Sequence, residues 1–345
     1  MKSFYPKLVT SLLSIIVLPL YAAPWEALPR LPPIPADNPQ TESKILLGKT
    51  LYFDPRLSST GTISCNSCHN LMAGGDDNRP HSVGVEGKQG SRSAPSVWNS
   101  AFLSVQFWDG RANSLEEQAK GPVTNPVEMG MPNWEAVIKR LEAIPGYETL
   151  FKAAFEDKQP LTADNTAKAI AAYERTLITP NSPYDRYVKG DKMALTEQQV
   201  KGMNTFAERG CTGCHAGPNF SGPSLSMGEG FFMKFPTFAG SPYETQYNLT
   251  KDKGRYSVTQ KEADKNLWRV PTLRNIALTA PYFHNGAVVT LEEAVRVMAK
   301  TQLNQELKAE QVQDIVAFLQ ALTGDFPEQS LPRLPGTPGK QIISP

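Results

Sequence analysis

The chain has 345 residues, which is room for about two domains of ordinary size. Hydrophobic residues make up 40% and charged residues 20%, so the chain can build packed cores and is not disordered. The 35 Lys and Arg residues nearly balance the 34 Asp and Glu residues and form no basic cluster, so a nucleic-acid-binding protein is not expected. With only four cysteines, a disulfide-dense scaffold is excluded.

The N-terminus has the pattern of a secretory signal. Lys2 and Lys7 precede an apolar run over residues 8–20, and small residues follow at 22 and 23. The run is too short to span a membrane comfortably, and no other stretch reaches about 18 apolar residues. We therefore expect residues 1–23 to be a signal peptide and the mature protein to be soluble, outside the membrane, in the periplasm. The alternative is a buried N-terminal helix.

The body of the chain is predicted to be helical, because capping residues precede amphipathic runs and strand alternation is nearly absent. Three capping boxes begin at Ser114, Thr196 and Thr290. The expected helices cover 42–51 after Thr41, 115–120, 134–141 after Asn133, 164–177, a run from 197, a run from 291, and 309–322.

All four cysteines belong to two Cys-x-x-Cys-His motifs, the attachment pattern of c-type haem. Two thiols three positions apart on a tight turn can reach both vinyl groups of one porphyrin, and the adjacent His can bind the iron. The alternatives are redox dithiols or a zinc site of four thiolates, and neither explains the His after each pair in a chain with four histidines. The motifs are Cys65-Asn66-Ser67-Cys68-His69 and Cys211-Thr212-Gly213-Cys214-His215.

The wide separation of the two motifs predicts one haem per domain. The expected fold is all-α, with two cytochrome c-like haem domains, long loops, and a haem on either side of the domain interface. The boundaries are placed at 24–190 for the N-terminal domain and 191–326 for the C-terminal domain, with a Pro-rich tail at 327–345. This tail and the prolyl lead at 24–39 are expected to lie extended on the surface.

The second axial ligand decides what each haem can do. A His–Met iron suits electron transfer, whereas an iron with an open face admits peroxide or O₂. Beyond the motif histidines, only His81 and His284 supply further imidazoles. Met298 lies on the apolar face of its predicted helix, where spacing alone makes a Met more often a core residue than a ligand.

Six short motifs follow one another along the body. They are FWDGR at 107–111, SLEEQ at 114–118, NPVEM at 125–129, VPTLRN at 270–275, PYFHNG at 281–286 and LEEAV at 291–295. In this order, from about Gly48 to Gly324, the chain resembles the bacterial dihaem cytochrome c peroxidase family, which includes the MauG-like enzymes.

The resemblance implies different roles for the two haems. The haem of the first motif is the low-potential, peroxidatic one, and the haem of the second motif is the high-potential one that receives electrons. It also implies that Met298 is the distal ligand of the second haem, with His284 as the next candidate. MauG-like proteins have a Tyr at the position of Met298, so this residue favours the peroxidase branch.

The resemblance also implies roles for three further side chains. Trp108 matches the tryptophan between the haems, where an indole shortens a tunnelling path; the alternative is an interface-filling residue. Glu128 matches the distal acid of the peroxidatic pocket, where a carboxylate with a raised pKa can move a proton between the peroxide oxygens. Gln118 matches a second polar group in that pocket.

The chain departs from the family at the peroxidatic cap. The typical peroxidase has a distal His on a mobile loop, and the aligned residue here is Val85, which cannot bind iron. His81 is the nearby substitute; the alternative is a solvated loop residue. If nothing caps the iron, the site is open in every redox state, as in MauG-like enzymes.

A second departure concerns calcium. The family's interdomain Ca²⁺ site uses an Asn side chain where this chain has Ser93, together with carbonyls that match Thr279 and Pro281. Because a Ser hydroxyl is a weaker oxygen ligand, calcium is doubtful.

These residues leave three functions open. The first is a periplasmic peroxidase that reduces hydrogen peroxide with electrons from a small cytochrome c or cupredoxin, received at the C-terminal haem and passed by way of Trp108. The second is a MauG-like oxidase of Trp or Tyr residues in a partner protein. The third is a dihaem electron carrier, which leaves Glu128 without a role. The family resemblance also implies a homodimer.

Overall fold

The computed structural model describes residues 25–337, 339 and 341–343, so the predicted signal peptide lies outside the described residues. The fold is mostly helical. Within the described part of the chain, no helix is long and apolar enough to cross a membrane. The helices are α1 (Glu42–Phe53), α2 (Cys65–Cys68), α3 (Leu115–Thr124), α4 (Trp134–Glu142), α5 (Pro145–Ala154), α6 (Ala163–Glu174), α7 (Pro183–Val188), α8 (Glu197–Glu208), α9 (Pro242–Gln246), α10 (Tyr256–Thr259), α11 (Leu291–Leu303) and α12 (Ala309–Gln320).

The predicted helix starts are confirmed where a polar side chain caps the first turn. In each of five helices the N-cap oxygen accepts a hydrogen bond from a first-turn backbone N–H, which would otherwise have no partner. The caps are Thr41, Ser114, Asn133, Thr196 and Thr290.

The helix ends were predicted less well. α6 ends at Glu174 and not at residue 177, and α3 continues four residues beyond Lys120. Pro122 lies in that last turn, where it has no N–H to donate to the carbonyl one turn earlier. α5 and α7 were not predicted; each carries a Pro at its start.

Both halves of the molecule use the same helix crossing. α1 packs across α6 in the first half, and α8 packs across α12 in the second. Each crossing is closed by a glycine: a Cβ atom on Gly48 would lie 1.8 Å from the carbonyl oxygen of Ala169, and one on Gly202 would lie 1.8 Å from that of Asp314. The repeated close approach supports two halves of like architecture.

The expectation of almost no strand structure needs one correction. A short antiparallel ribbon forms between β1 (Phe232–Lys234) and β2 (Leu267–Arg269), with Phe232 opposite Arg269. The strands are three residues long, too short for alternation to be visible in the sequence. The ribbon matters because β2 carries Trp268 and Arg269 to the boundary between the halves.

The prolyl lead is not confined to the surface, so that expectation is wrong for its first residues. Trp25 packs with its ring against Tyr184 and Phe318 in the core of the second half, at centroid distances of 6.1 and 6.0 Å. Leu28 is buried, and its backbone N–H donates to Asp185. Burying the apolar side chains of Trp25 and Leu28 in the protein is more favourable than exposing them to water.

The C-terminal tail packs on the first half of the molecule. The carbonyl of Pro335 accepts a hydrogen bond from Arg56 of the first half at 2.8 Å, and Ser330 accepts one from Lys49. Each terminal segment therefore packs on the half distant from it in sequence. The domain boundary at residue 190 stays a prediction, and Tyr184, which precedes it, packs in the second core.

We predict that Gly48→Ala destabilises the first half selectively. The new methyl group meets a backbone oxygen that cannot rotate away, and overpacking of this kind costs at least ~1–3 kcal/mol. Thermal unfolding followed by circular dichroism should show a lowered midpoint. Gly336→Ala is the control, because a Cβ there meets nothing within 4 Å. Equal midpoints for the two variants would contradict the close-packed crossing.

Candidate functional site

The first Cys-x-x-Cys-His motif opens onto a large cavity of the N-terminal half, with about 1880 Å³ of empty space including its mouth. The four cysteines of the chain form no disulfide. The predicted residues that this cavity brings together are Cys65, Cys68, His69, Trp108, Gln118 and Glu128.

The imidazole of His69 is fixed by a backbone carbonyl. Its Nδ1–H donates to the oxygen of Pro95 at 2.9 Å, which leaves the lone pair on Nε2. Burial lowers the pKa of His69, so the ring is neutral and able to bind a metal. A carbonyl on the far nitrogen is the usual second contact of an iron-binding histidine, because it fixes both tautomer and orientation.

Glu128 is the principal acid in the wall of this cavity. Burial raises the pKa of its carboxyl above the ordinary 4.5, while the charge of Arg111 lowers it. The amide of Asn125 donates to Oε1 of Glu128 at 2.9 Å and holds that carboxyl in place. Gln118 lies in the same wall. The arrangement places a carboxyl with a raised pKa and an amide in the cavity of the first motif.

The loop at residues 81–85, where the family has its distal His, does not bring an imidazole into the first cavity. Val85 is buried and its N–H donates to the carbonyl of Glu128 at 2.9 Å. Ser82 and Gly84 line the cavity, whereas Val85 and His81 do not. The Nδ1 of His81 is buried without a partner among the described residues. This loop therefore supports the acid and brings no imidazole into the cavity.

The second motif opens onto a cavity of about 1360 Å³, again including its mouth. His215 repeats the geometry of the first motif: its Nδ1–H donates to the carbonyl of Phe220 at 3.0 Å. Met298, His284 and both motif cysteines line this cavity. Met298 is thus in the position from which it could bind a metal, although its role as a ligand stays a prediction.

Two residues line both cavities. Trp108 and Arg269 lie between the motifs, and the backbone N–H of Arg269 donates to the carbonyl of Trp108 at 2.9 Å. The indole N–H of Trp108 donates to the carbonyl of Ser93 at 2.8 Å, which fixes the ring in the shared wall. The structure thus places Trp108 in the wall between the cavities, and its position between two haems stays a prediction.

The cavities fit c-type haem. Buried polar atoms normally find hydrogen-bond partners, yet several atoms in these two walls have none among the described residues. They are Ser82 Oγ, Ser100 Oγ, Glu174 Oε2, Arg209 Nε, Trp268 Nε1 and His284 Nε2. Each cavity also presents a pair of thiols and the neutral imidazole of its motif, which is the donor set of a covalent haem.

The calcium site stays a prediction. The amide of Asn78 donates to the carbonyls of Leu278 and Ala280, which precede the predicted Thr279 and Pro281, at 3.0 and 3.2 Å. The hydroxyl of Ser93 points to the carbonyl of Arg79 at 3.5 Å. Among the described residues, no group of three or more His, Cys, Asp or Glu side chains could hold a metal ion.

Thr279 and Pro281 were predicted to supply carbonyls to this calcium site. Neither residue lines a haem cavity.

Sequence reasoning missed several residues of these walls. Arg269 and Trp268 come from the short ribbon, and Glu174 lines the first cavity from the end of α6. Burial raises the pKa of Glu174 to about 8, so its carboxyl is largely protonated at neutral pH. The sequence offered one signal for Glu174: it is an acidic residue on the apolar side of a predicted helix.

Comparison with known proteins agrees with this geometry. The family model described as di-haem cytochrome c peroxidase matches residues 42–193. The chain is 45% identical over 330 residues to the cytochrome c551 peroxidase of Nitrosomonas europaea, with 95% of each chain covered. It is 44% identical over 301 residues to the cytochrome c551 peroxidase of Pseudomonas aeruginosa, covering 87% of this chain and 84% of that relative.

A solved structure shows the same fold. The crystal structure of a MauG-like protein associated with microbial copper homeostasis superposes with a TM-score of 0.74 at 29% identity, covering 86% of this chain and 95% of that one. The relatives, the two haem-attachment motifs and the two cavities agree with one another, and the family implies two c-type haems. The chain is an oxidoreductase and belongs to the dihaem cytochrome c peroxidase family.

Proposed function

We propose that this protein reduces hydrogen peroxide to water at the cavity of the first motif. The observation that carries the proposal is the placement of Glu128, with its raised pKa, in the same cavity as His69 and the thiols of the first motif. The names of the two cytochrome c551 peroxidases support the same substrate.

Cys65, Cys68 and His69 would hold the haem of the first motif, whose iron would supply the electrons for cleavage of the O–O bond. The carboxylate of Glu128 takes the proton of the near oxygen of peroxide and returns it to the far oxygen, which leaves as water. The near oxygen becomes the second water when the donor has supplied two electrons and two protons have been taken up. Asn125 keeps one carboxylate oxygen oriented, and burial brings the pKa of the group closer to that needed for transfer in both directions.

The electrons are proposed to come from a small cytochrome c or cupredoxin and to be received at the second motif, where Met298 completes the iron ligands. A thioether ligand raises a haem potential and so favours electron acceptance. Trp108 then lies on the route, because it lines both cavities. A periplasmic location, after removal of residues 1–23, and a homodimer complete the proposal.

A second function is favoured by one specific observation. Val85 is buried against the backbone of Glu128 and leaves the first cavity without an imidazole cap in the described part of the chain. An uncapped iron is accessible before any reduction, which suits a MauG-like oxidase of Trp or Tyr side chains in a partner protein. Met298 argues for the peroxidase, because the MauG-like enzymes have a Tyr at the position of this Met.

Replacing Glu128 by Gln should slow peroxide cleavage by ~10²-fold or more, because an amide cannot accept the proton. In the wild type the rate should fall as pH falls through the raised pKa of Glu128, since only the ionised form is a base. Stopped-flow mixing at several pH values measures both effects. Glu135→Gln, an exposed acid at the start of α4, is the control. An unchanged rate and pH profile in the Glu128 variant would remove this residue from the mechanism.

Replacing Met298 by Ala should lower the reduction potential of the second haem, because the iron loses a ligand that stabilises its reduced form. A spectroelectrochemical titration measures the potential directly. Met203→Ala is the matched control, a buried Met of the same half that lies outside the cavity. If the potential stays in place in the Met298 variant, the ligand is another residue, with His284 the next candidate.

Mixing peroxide with the fully oxidised enzyme should change the haem spectrum at once, because neither Val85 nor His81 lines the first cavity. Stopped-flow absorbance of the wild type and of His81→Ala tests this, and both should react equally fast. A wild type that stays silent until the second haem is reduced, together with a fast His81 variant, would show that His81 caps the iron.

A further inference from the structure

Arg269 is a buried guanidinium in the wall shared by the two cavities. It is 4% exposed and ends β2, where its backbone N–H donates to the carbonyl of Trp108. The side chain is oriented by two more carbonyls: Nε donates to Phe107 at 3.0 Å and Nη1 to Val270 at 3.2 Å. These contacts position the group but supply no negative charge.

The charge of Arg269 has no carboxylate partner within 4.0 Å among the residues that the structure describes. Asp109 is the acid whose charge acts on it, but that carboxylate is already paired with Arg92 at 2.5 Å and Arg111 at 3.0 Å. Asp252 is likewise paired with Arg92. Both carboxylates thus pair with Arg92 or Arg111, and neither lies within 4.0 Å of the Arg269 guanidinium.

Burial lowers the pKa of Arg269 to about 10, so the group remains a cation at neutral pH. A buried charge without a counter-ion is costly, and proteins compensate such charges by an ion pair or a bound anion. The planar guanidinium fork matches a carboxylate in two parallel hydrogen bonds. An anionic carboxylate on a bound group is thus the partner that this site lacks.

The covalent haems supply such carboxylates. A porphyrin of this type carries its two vinyl positions on one edge and its two propionates on the opposite one. The motif cysteines would hold the vinyl edge of each haem, and Arg269 lies in the wall that the two cavities share. A propionate of a haem in either cavity would therefore find the same cation available as its partner.

We infer that Arg269 is the shared counter-charge for propionates of both haems, and that it positions the haem edges on either side of Trp108. The inference rests on the two c-type haems of the proposed function and goes beyond it. Arg269 acts through the haem potentials and not on peroxide, so it is a positioning residue. A positive charge near a haem stabilises the reduced form, and losing this charge should lower both potentials.

The test compares the holoenzyme carrying Arg269→Gln, Arg269→Lys or Arg255→Gln by spectroelectrochemical titration without peroxide. Arg269→Gln should lower both reduction equilibrium constants by roughly tenfold, about 59 mV for a one-electron couple. Arg269→Lys keeps the charge and should retain most of each potential. Arg255→Gln is the control, because Arg255 donates to the carbonyls of Asp109 and Gly110 in the same region but lines neither cavity.

A fall confined to one haem, or unchanged potentials with only a lowered melting temperature, would overturn the shared role. If Arg269→Gln fails to take up both haems, the resonance Raman propionate bands of wild type and Arg269→Lys decide. Both haems should show shifted bands, and bands that stay in place at either haem would refute the inference. Peroxide turnover is measured separately: normal turnover with unchanged potentials removes this inference alone, whereas wild-type inactivity removes the proposed function alone.

Discussion

The hydrogen bond from the backbone N–H of Arg269 to the carbonyl of Trp108 joins the two halves at the wall that both cavities share. It ties a loop of the first half to the edge strand β2 of the second, and so fixes the indole and the guanidinium in one place. Because Arg269 and Trp108 line both cavities, any movement of this contact would change the wall between them. The neighbouring pairs of Arg92 with Asp109 and Asp252 brace the same region.

The two halves on either side of this wall share one helix arrangement but line their cavities with different side chains. In both, two helices cross at a glycine, and an imidazole is held by a backbone carbonyl. The first cavity then adds Glu128 and Gln118, whereas the second adds Met298 among apolar side chains. A polar wall can move protons, and an apolar wall with a thioether stabilises a reduced haem. The same scaffold therefore encloses a cavity with a buried acid on one side and an apolar cavity with a thioether on the other.

The terminal segments strengthen the union of the halves. The lead begins in the second core at Trp25, and the tail reaches the first half at Pro335. The N-terminal segment packs on the second half and the C-terminal tail packs on the first. Separating the halves would therefore expose Trp25 and break the contact of Arg56 with the tail. A rigid relation between the haem sites is what electron transfer across a fixed wall requires.

The sequence by itself determined the haem-attachment motifs, the helix starts and the family, because these depend on local patterns: ligand spacing, capping side chains and short motifs in order. It also pointed to Glu128, Trp108 and Met298 through the resemblance. Only the tertiary structure decided which residues share a cavity, that Trp25 packs in the second core and that Leu28 is buried. It also showed that Val85 packs on the backbone of Glu128 and that Arg269 lacks a counter-charge. Burial and charge pairing join residues distant along the chain, so no local pattern carries them.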